Sequence, residues 1–256
     1  MRLSIVALLM VAAFSVNSGI CQEIAPDLKD NTFAMAFIRP ETQYLGKWQR
    51  LIYTEVFRRL GIKVEFRLYS PKRASIEADA GSVDGEASRI AEYAAAHPEL
   101  IRVEEVLFTS NYSAFTAKDS IPQMKGWESF KGTNYRVAYR MGIRLCEKNL
   151  SKFVSRENLS EIVEPPSALK QLIADRTDVF VDEESTILTL VQTPEFKYGK
   201  IRLVGVMESI ANYPYVHKKH ASLTPQMAEI IKAMKAEGLI EQYRMTVEKE
   251  FGIVRK

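Results

Sequence analysis

The chain has almost no cysteine. Cys21 and Cys146 are the only two in 256 residues; if Cys21 is removed with the leader, Cys146 is a lone thiol and no disulfide framework is possible. Cys146 reads as a small, partly buried apolar residue. Histidine is equally sparse, at 97, 217 and 220. None is tied to Cys146 by spacing, so no nucleophile–base pair is apparent. All three read as solvated. Beyond the first twenty residues no apolar run is long enough to span a bilayer. Charge of one sign is not in excess, since 35 Lys and Arg face 32 Asp and Glu for a net +3. That is too mild to argue for nucleic acid or an anionic membrane surface. There is no low-complexity segment and no solenoid period.

What is present is ordinary globular material, 46% hydrophobic and 26% charged. That suffices for one large domain or two smaller lobes. The opening MRLSIVALLMVAAFSVNSG reads as a secretory signal: Arg2, then an apolar run from Ile5 to Phe14, then small residues. Residues 1–22 are expected to be removed, leaving a soluble, exported protein. Lipidation at Cys21 is the minority alternative, because Ile20 stands where a lipoprotein signal normally has a small residue.

The elements follow from periodicity. FAMAFI (33–38) reads as a buried strand. Trp48, Leu51, Ile52, Val56 and Leu60 recur at helical spacing, and Gly61 suits the cap. IKVEFRLY alternates as a strand with one polar face. Ser70 is expected to cap a helix that opens at Pro71 and ends near Gly81. VDGEAS follows as the next strand, so β-α-β-α-β predicts a parallel sheet. The unit recurs in SALKQLIADRTDVFVDEEST: a helix, a short turn, then an aspartate opening a strand. YRVAYR and IRLVGV supply further strands. Near the end, Thr224 is expected to cap a helix that stops at Gly238, with a second helix after it. Each half is thus expected to carry its own sheet, with a cleft beyond the carboxyl ends of the strands.

Candidate ligand residues lie in the loops after those strands. Arg39 and Tyr44 follow the first strand. Lys72 and Arg73 open a helix, where they oppose the backbone dipole unless they hold an anion. The alternative for Arg73 is a surface pair with Glu77. Glu86 and Arg89 form an internal ion pair, or Arg89 faces a ligand anion. Tyr139, Arg140 and Arg144 flank Gly142 at a strand-to-helix turn. Asp182, Glu183 and Glu184 follow the Asp178 strand, either as a solvated loop or as receivers of a ligand ammonium. Among the aromatics, Tyr112 and Tyr213 suit a cleft wall, and Trp48 suits the core.

Taken in order, LGIKVEF, AGSVDGEASR, VEEVLFTSNYSAF, KGTNYRVAYRMG, RTDVFVDE, NYPYVHKK and EIIKAMKAEGLIEQYR resemble the periplasmic solute-binding proteins of the amino-acid type, family 3. The resemblance covers nearly the whole mature chain. It implies an α/β fold of the type II periplasmic-binding kind. Two lobes (23–113 with 216–256, and 114–215) would be joined by two crossing strands near Ala114–Lys118 and Tyr213–Lys218. It implies a periplasmic monomer without cofactor or metal, closing on a small carboxylate-bearing solute for a membrane transporter or a sensor. In that family an arginine of a Thr-x-x-Arg segment takes the ligand carboxylate. Here that place falls near Ala95, so Arg73 and Arg89 are substitutes on chemical grounds. The acidic residue that holds a ligand ammonium corresponds to Glu183, and Tyr112 falls where an aromatic stands near the ligand. The rivals are a dehydratase-type enzyme on the same fold, with Glu86 or Glu183 as its acid, and a signalling-only protein.

Overall fold

Five consecutive residues from Phe33 to Phe37 are buried, and they form most of strand β1 (Thr32–Phe37) in the computed structural model, which describes residues 28–253. The expected leader and Cys21 lie outside the described residues. Helix α1 (Tyr44–Leu60) follows, and it ends where Gly61 takes the left-handed conformation at φ 69°. Strand β2 (Lys63–Leu68) runs parallel to β1 in a register from Thr32↔Lys63 to Phe37↔Leu68. Helix α2 (Pro71–Asp79) leads to β3 (Gly85–Ile90), also parallel to β1. Ser70 occupies the N-cap position but its side chain makes no cap bond.

After the short β4 (Leu100–Arg102), β5 (Phe108–Thr116) crosses into the second half of the molecule. There β6 (Val137–Arg140), helix α3 (Arg144–Leu150), β7 (Leu159–Ile162), helix α4 (Pro165–Ile173) and β8 (Val179–Glu183) repeat the parallel pattern, with β6 between β7 and β8. Helix α5 (Glu184–Val191) begins directly after β8. The long β9 (Arg202–His217) then returns the chain to the first half, where α6 (Leu223–Ala236) and α7 (Leu239–Glu250) finish it. Thr224 lies inside α6, whose N-cap is Ser222. Gly238, at φ 73°, separates the last two helices.

The strands make one hydrogen-bonded path, β2-β1-β3-β9-β5-β8-β6-β7, rather than the two separate sheets expected. The reason is that β5 and β9 pair antiparallel from Phe108↔Asn212 to Thr116↔Arg202, and each also borders a parallel set. The halves remain distinct in their packing. β1, α1, α6 and α7 enclose one apolar core, while Ala114, Val137, Val181 and Cys146 belong to another. Phe108 and Val216 lie in the first core, Ala114 and Met207 in the second. The change of core therefore falls between 108 and 114 along β5 and between 207 and 216 along β9. IRLVGV and NYPYVH prove to be one strand, because no turn interrupts the extended backbone between them. Among the described residues no helix is long and apolar enough to cross a membrane.

Candidate functional site

The carboxyl ends of β1, β3, β6 and β8 bring charged residues from both halves together beside β5. Arg39 follows β1 and is half-buried. Burial lowers the pKa of its guanidinium, Glu183 and Tyr112 raise it, and Arg140 and Arg89 lower it further. These five side chains therefore share one field, although Arg39 and Arg89 come from the first half and Arg140 and Glu183 from the second.

Arg39 is held from behind by α1. Gly46 lies in the first turn of that helix, and a Cβ there would stand 2.0 Å from the carbonyl oxygen of Pro40 and 2.8 Å from that of Arg39. Only glycine lets the loop lie so close. Arg50 donates to the Arg39 carbonyl at 3.1 Å and stacks over Phe37 at 4.5 Å. The backbone of Arg39 is thus clamped, yet its guanidinium makes no hydrogen bond or ion pair among the described residues.

The other arginines are engaged. Arg89 pairs with the buried Glu86, donates to the carbonyl of Pro71 at 3.2 Å, and lies 4.8 Å over the Tyr93 ring. Tyr93 also donates to Glu86 at 3.0 Å. The internal-pair reading of Glu86 and Arg89 is therefore the one the geometry adopts. Arg140 pairs with Asp182 at 2.9 Å. Asp182 is 0% exposed, and its Oδ2 has no hydrogen-bond partner. Burial pushes its pKa up to about 6, against the pull of Arg140.

Asp182, Glu183 and Glu184 are all buried, which corrects the solvated-loop expectation. Each has its own task. Glu183 is the N-cap of α5 and accepts from the backbone N–H and hydroxyl groups of both Ser185 and Thr186, at 2.8 to 3.0 Å. Glu184 turns to the opposite side and accepts from Ser113 at 2.8 Å and Asn111 at 3.2 Å. It borders a cavity of about 340 Å³ lined also by Trp48, Phe108 and Arg244, on the side of the crossing strands that faces α1 and α7.

Several expected residues lie elsewhere. Tyr44 is buried in the first core, stacked on Trp48 and hydrogen-bonded to Glu248 at 3.3 Å. Arg73 pairs with Glu77 on an exposed helix face, the bland alternative for that residue. Tyr139 packs in the second core and donates to Glu161 at 2.6 Å. Arg144 is exposed at the start of α3. Tyr213 carries Arg102 over its ring at 4.8 Å. Tyr112 stays with the charged group, half-buried, its phenol pKa raised by burial first. The histidines are not solvated. His220 is buried against Asp84 at 2.8 Å, His217 is buried, and His97 stacks on Tyr93. Among the described residues no group of His, Cys, Asp and Glu is arranged to hold a metal. Sequence reasoning missed the cap role of Glu183, because glutamate is not among the residues favoured at that position.

No protein-family model matches the chain. An uncharacterized protein of Shewanella oneidensis is 33% identical over 250 residues, which is 95% of this chain and 94% of that protein. The chain belongs to that protein's family. Solved structures extend the likeness at lower identity. The L-cystine solute receptor of Neisseria gonorrhoeae, in its unliganded open conformation, superposes with a TM-score of 0.65 at 17% identity, covering 88% of this chain and 95% of that one. A histidine kinase sensor domain with similarity to periplasmic binding proteins gives 0.61 at 20%, covering 85% and 97%. An arginine-bound amino-acid transporter substrate-binding protein of Streptococcus pneumoniae gives 0.60 at 12%, covering 88% and 98%. The fold is therefore the type II periplasmic-binding fold, as the sequence resemblance implied. In this fold the crossing strands are β5 and β9, and the group around Arg39 sits where the two halves meet.

Proposed function

We propose that this protein is an extracytoplasmic binding protein that closes its two lobes on a small carboxylate-bearing solute. The lobes are residues 23–113 with 216–256, and residues 114–215. The observation that carries the reading is the guanidinium of Arg39. It is half-buried, clamped through its backbone and without an ionic partner, in a group of residues drawn from both halves. A desolvated cation gains most from a bidentate anion. An anion seated there touches both lobes and so favours the closed state. Tyr112 supplies an aromatic wall beside it.

The function is binding without turnover. Glu86 and Glu183, the two acids a dehydratase would use, are committed to Arg89 and to the α5 cap. The resemblance to exported binding proteins supports a periplasmic protein that delivers its solute to a membrane transporter. The likeness to a kinase sensor domain supports signalling as the second reading. Titration calorimetry against amino acids and organic acids is expected to give saturable heat, with a smaller radius of gyration in solution scattering on binding. Folded protein that answers no member of the library overturns the proposal.

A further inference from the structure

A ligand ammonium needs a carboxylate that is free to accept it. Four buried acids stand in or beside the Arg39 group, and each has its oxygens occupied or out of reach. Glu86 holds Arg89 and accepts from Tyr93. Glu183 takes two backbone N–H groups and two hydroxyls. Glu184 points to the far side of β5, onto Ser113 and Asn111. Asp182 has one oxygen on Arg140; the other is unpartnered, but the residue is fully buried. Glu41, in the loop after Arg39, is exposed and bears on Arg50. On the cationic side, Arg89 is locked by an ion pair, a carbonyl and a ring, while Arg39 has no such partner.

We infer that the cleft takes an organic acid lacking an ammonium group, its carboxylate held by Arg39, rather than an α-amino acid. The inference rests on the solute-binding reading above and names its ligand class. An ammonium brought into this group meets the unpaired guanidinium of Arg39 and finds no accepting carboxylate among the four buried acids. To gain one it would have to displace the α5 cap, or separate Arg140 from Asp182 and leave a buried charge without its counter-ion. A hydroxyl, keto or methylene group in the same place carries no charge and meets no such cost. The carboxylate itself converts an unpaired, desolvated guanidinium into a paired one.

Matched compounds separate the classes. Calorimetric titration of the mature protein would compare L-alanine with L-lactate, L-glutamate with glutarate, and L-phenylalanine with phenyl-lactate. The acid without an ammonium is expected to bind at least tenfold more tightly within a pair. Arg39→Gln is expected to weaken that binding by more than tenfold, with Arg39→Lys between it and the natural protein and both variants keeping the native circular-dichroism spectrum. An amino acid that binds more tightly than its partner overturns the inference and leaves the solute-binding reading standing. Unchanged affinity in Arg39→Gln overturns the anchor. No binding by any of the six, or by the wider library, overturns both the ligand class and the solute-binding reading.

Discussion

Asp84 and Asp178 hold matching places in the two halves of the molecule. Oδ2 of Asp84 accepts the backbone N–H of Ala34 at 2.7 Å, and Oδ2 of Asp178 accepts that of Arg136 at 2.7 Å. Each aspartate opens or precedes a strand and tethers the start of a neighbouring segment. Each is held by basic side chains: His220 and Lys219 for Asp84, Arg136 and Lys118 for Asp178. Burial alone would raise the Asp84 pKa, but those bonds outweigh it and hold it at about 2; Asp178 is lowered for the same reason. A carboxylate depressed in the folded state stabilises above its ordinary pKa, and that stability is lost as pH falls through the folded value. Acid unfolding is therefore expected between about pH 4 and pH 2 for Asp84. Asp84→Asn should lose roughly 2 kcal/mol at neutral pH, because it weakens a buried network of charge-assisted bonds. Urea titrations at several pH values check both statements.

Gly46→Ala tests the clamp on Arg39. The new methyl would overlap the Pro40 and Arg39 carbonyls, so the loop must shift. A loss of about 1–3 kcal/mol in stability is expected, together with a weaker affinity for whichever acid the protein binds. Thermal unfolding and calorimetry read the two effects separately. Native affinity in a destabilised variant would show that the loop does not position Arg39.

Asp182 has the opposite pH sign from Asp84. Its folded pKa, about 6, lies above the ordinary carboxylate value because burial dominates. Its contribution to stability is therefore greatest below about pH 4 and declines as pH rises through about 6. Arg140, Glu183 and Cys146 are the charged or titratable groups that bear on it. The stability of the natural protein relative to Asp182→Asn should fall between pH 4 and pH 7. A difference independent of pH over that range would contradict the assignment.

Glu183→Ala removes the α5 cap and should cost about 1–2 kcal/mol. Faster amide exchange is expected at Ser185 and Thr186, whose N–H groups lose their acceptor. Glu183→Gln, which keeps one acceptor oxygen, should retain part of the stability.

Cys146 should resist thiol reagents in the folded protein. It is 0% exposed, and burial, with Asp182 next, pushes its thiol up to about 12, so almost no thiolate exists at neutral pH. Modification should track unfolding by urea. Rapid labelling of the native protein would contradict the placement of this residue in the second core.

The sequence by itself determined the local elements. The unbroken run at Phe33–Phe37, the alternation of β2, Gly61 and Gly238 at helix ends, and the aspartates before β3 and β8 all express interactions with near neighbours or a simple period of burial. It also showed that the terminal helices have an apolar face, since Met227, Ile231 and Met234 pack in the first core. Tertiary structure decided how the two halves join and what each charge does. β9 is a single strand because its two ends find different partners, and nothing in IRLVGV or NYPYVH marks that pairing. Arg89 is tied down by Glu86, three residues away, whereas Arg140 finds Asp182 forty-two positions on and Arg39 finds no partner. Which cation is left free depends on distances between strands that are remote in the chain. The availability of Arg39 is thus a property of the folded arrangement, set by the desolvation it imposes and the counter-ions it places within reach.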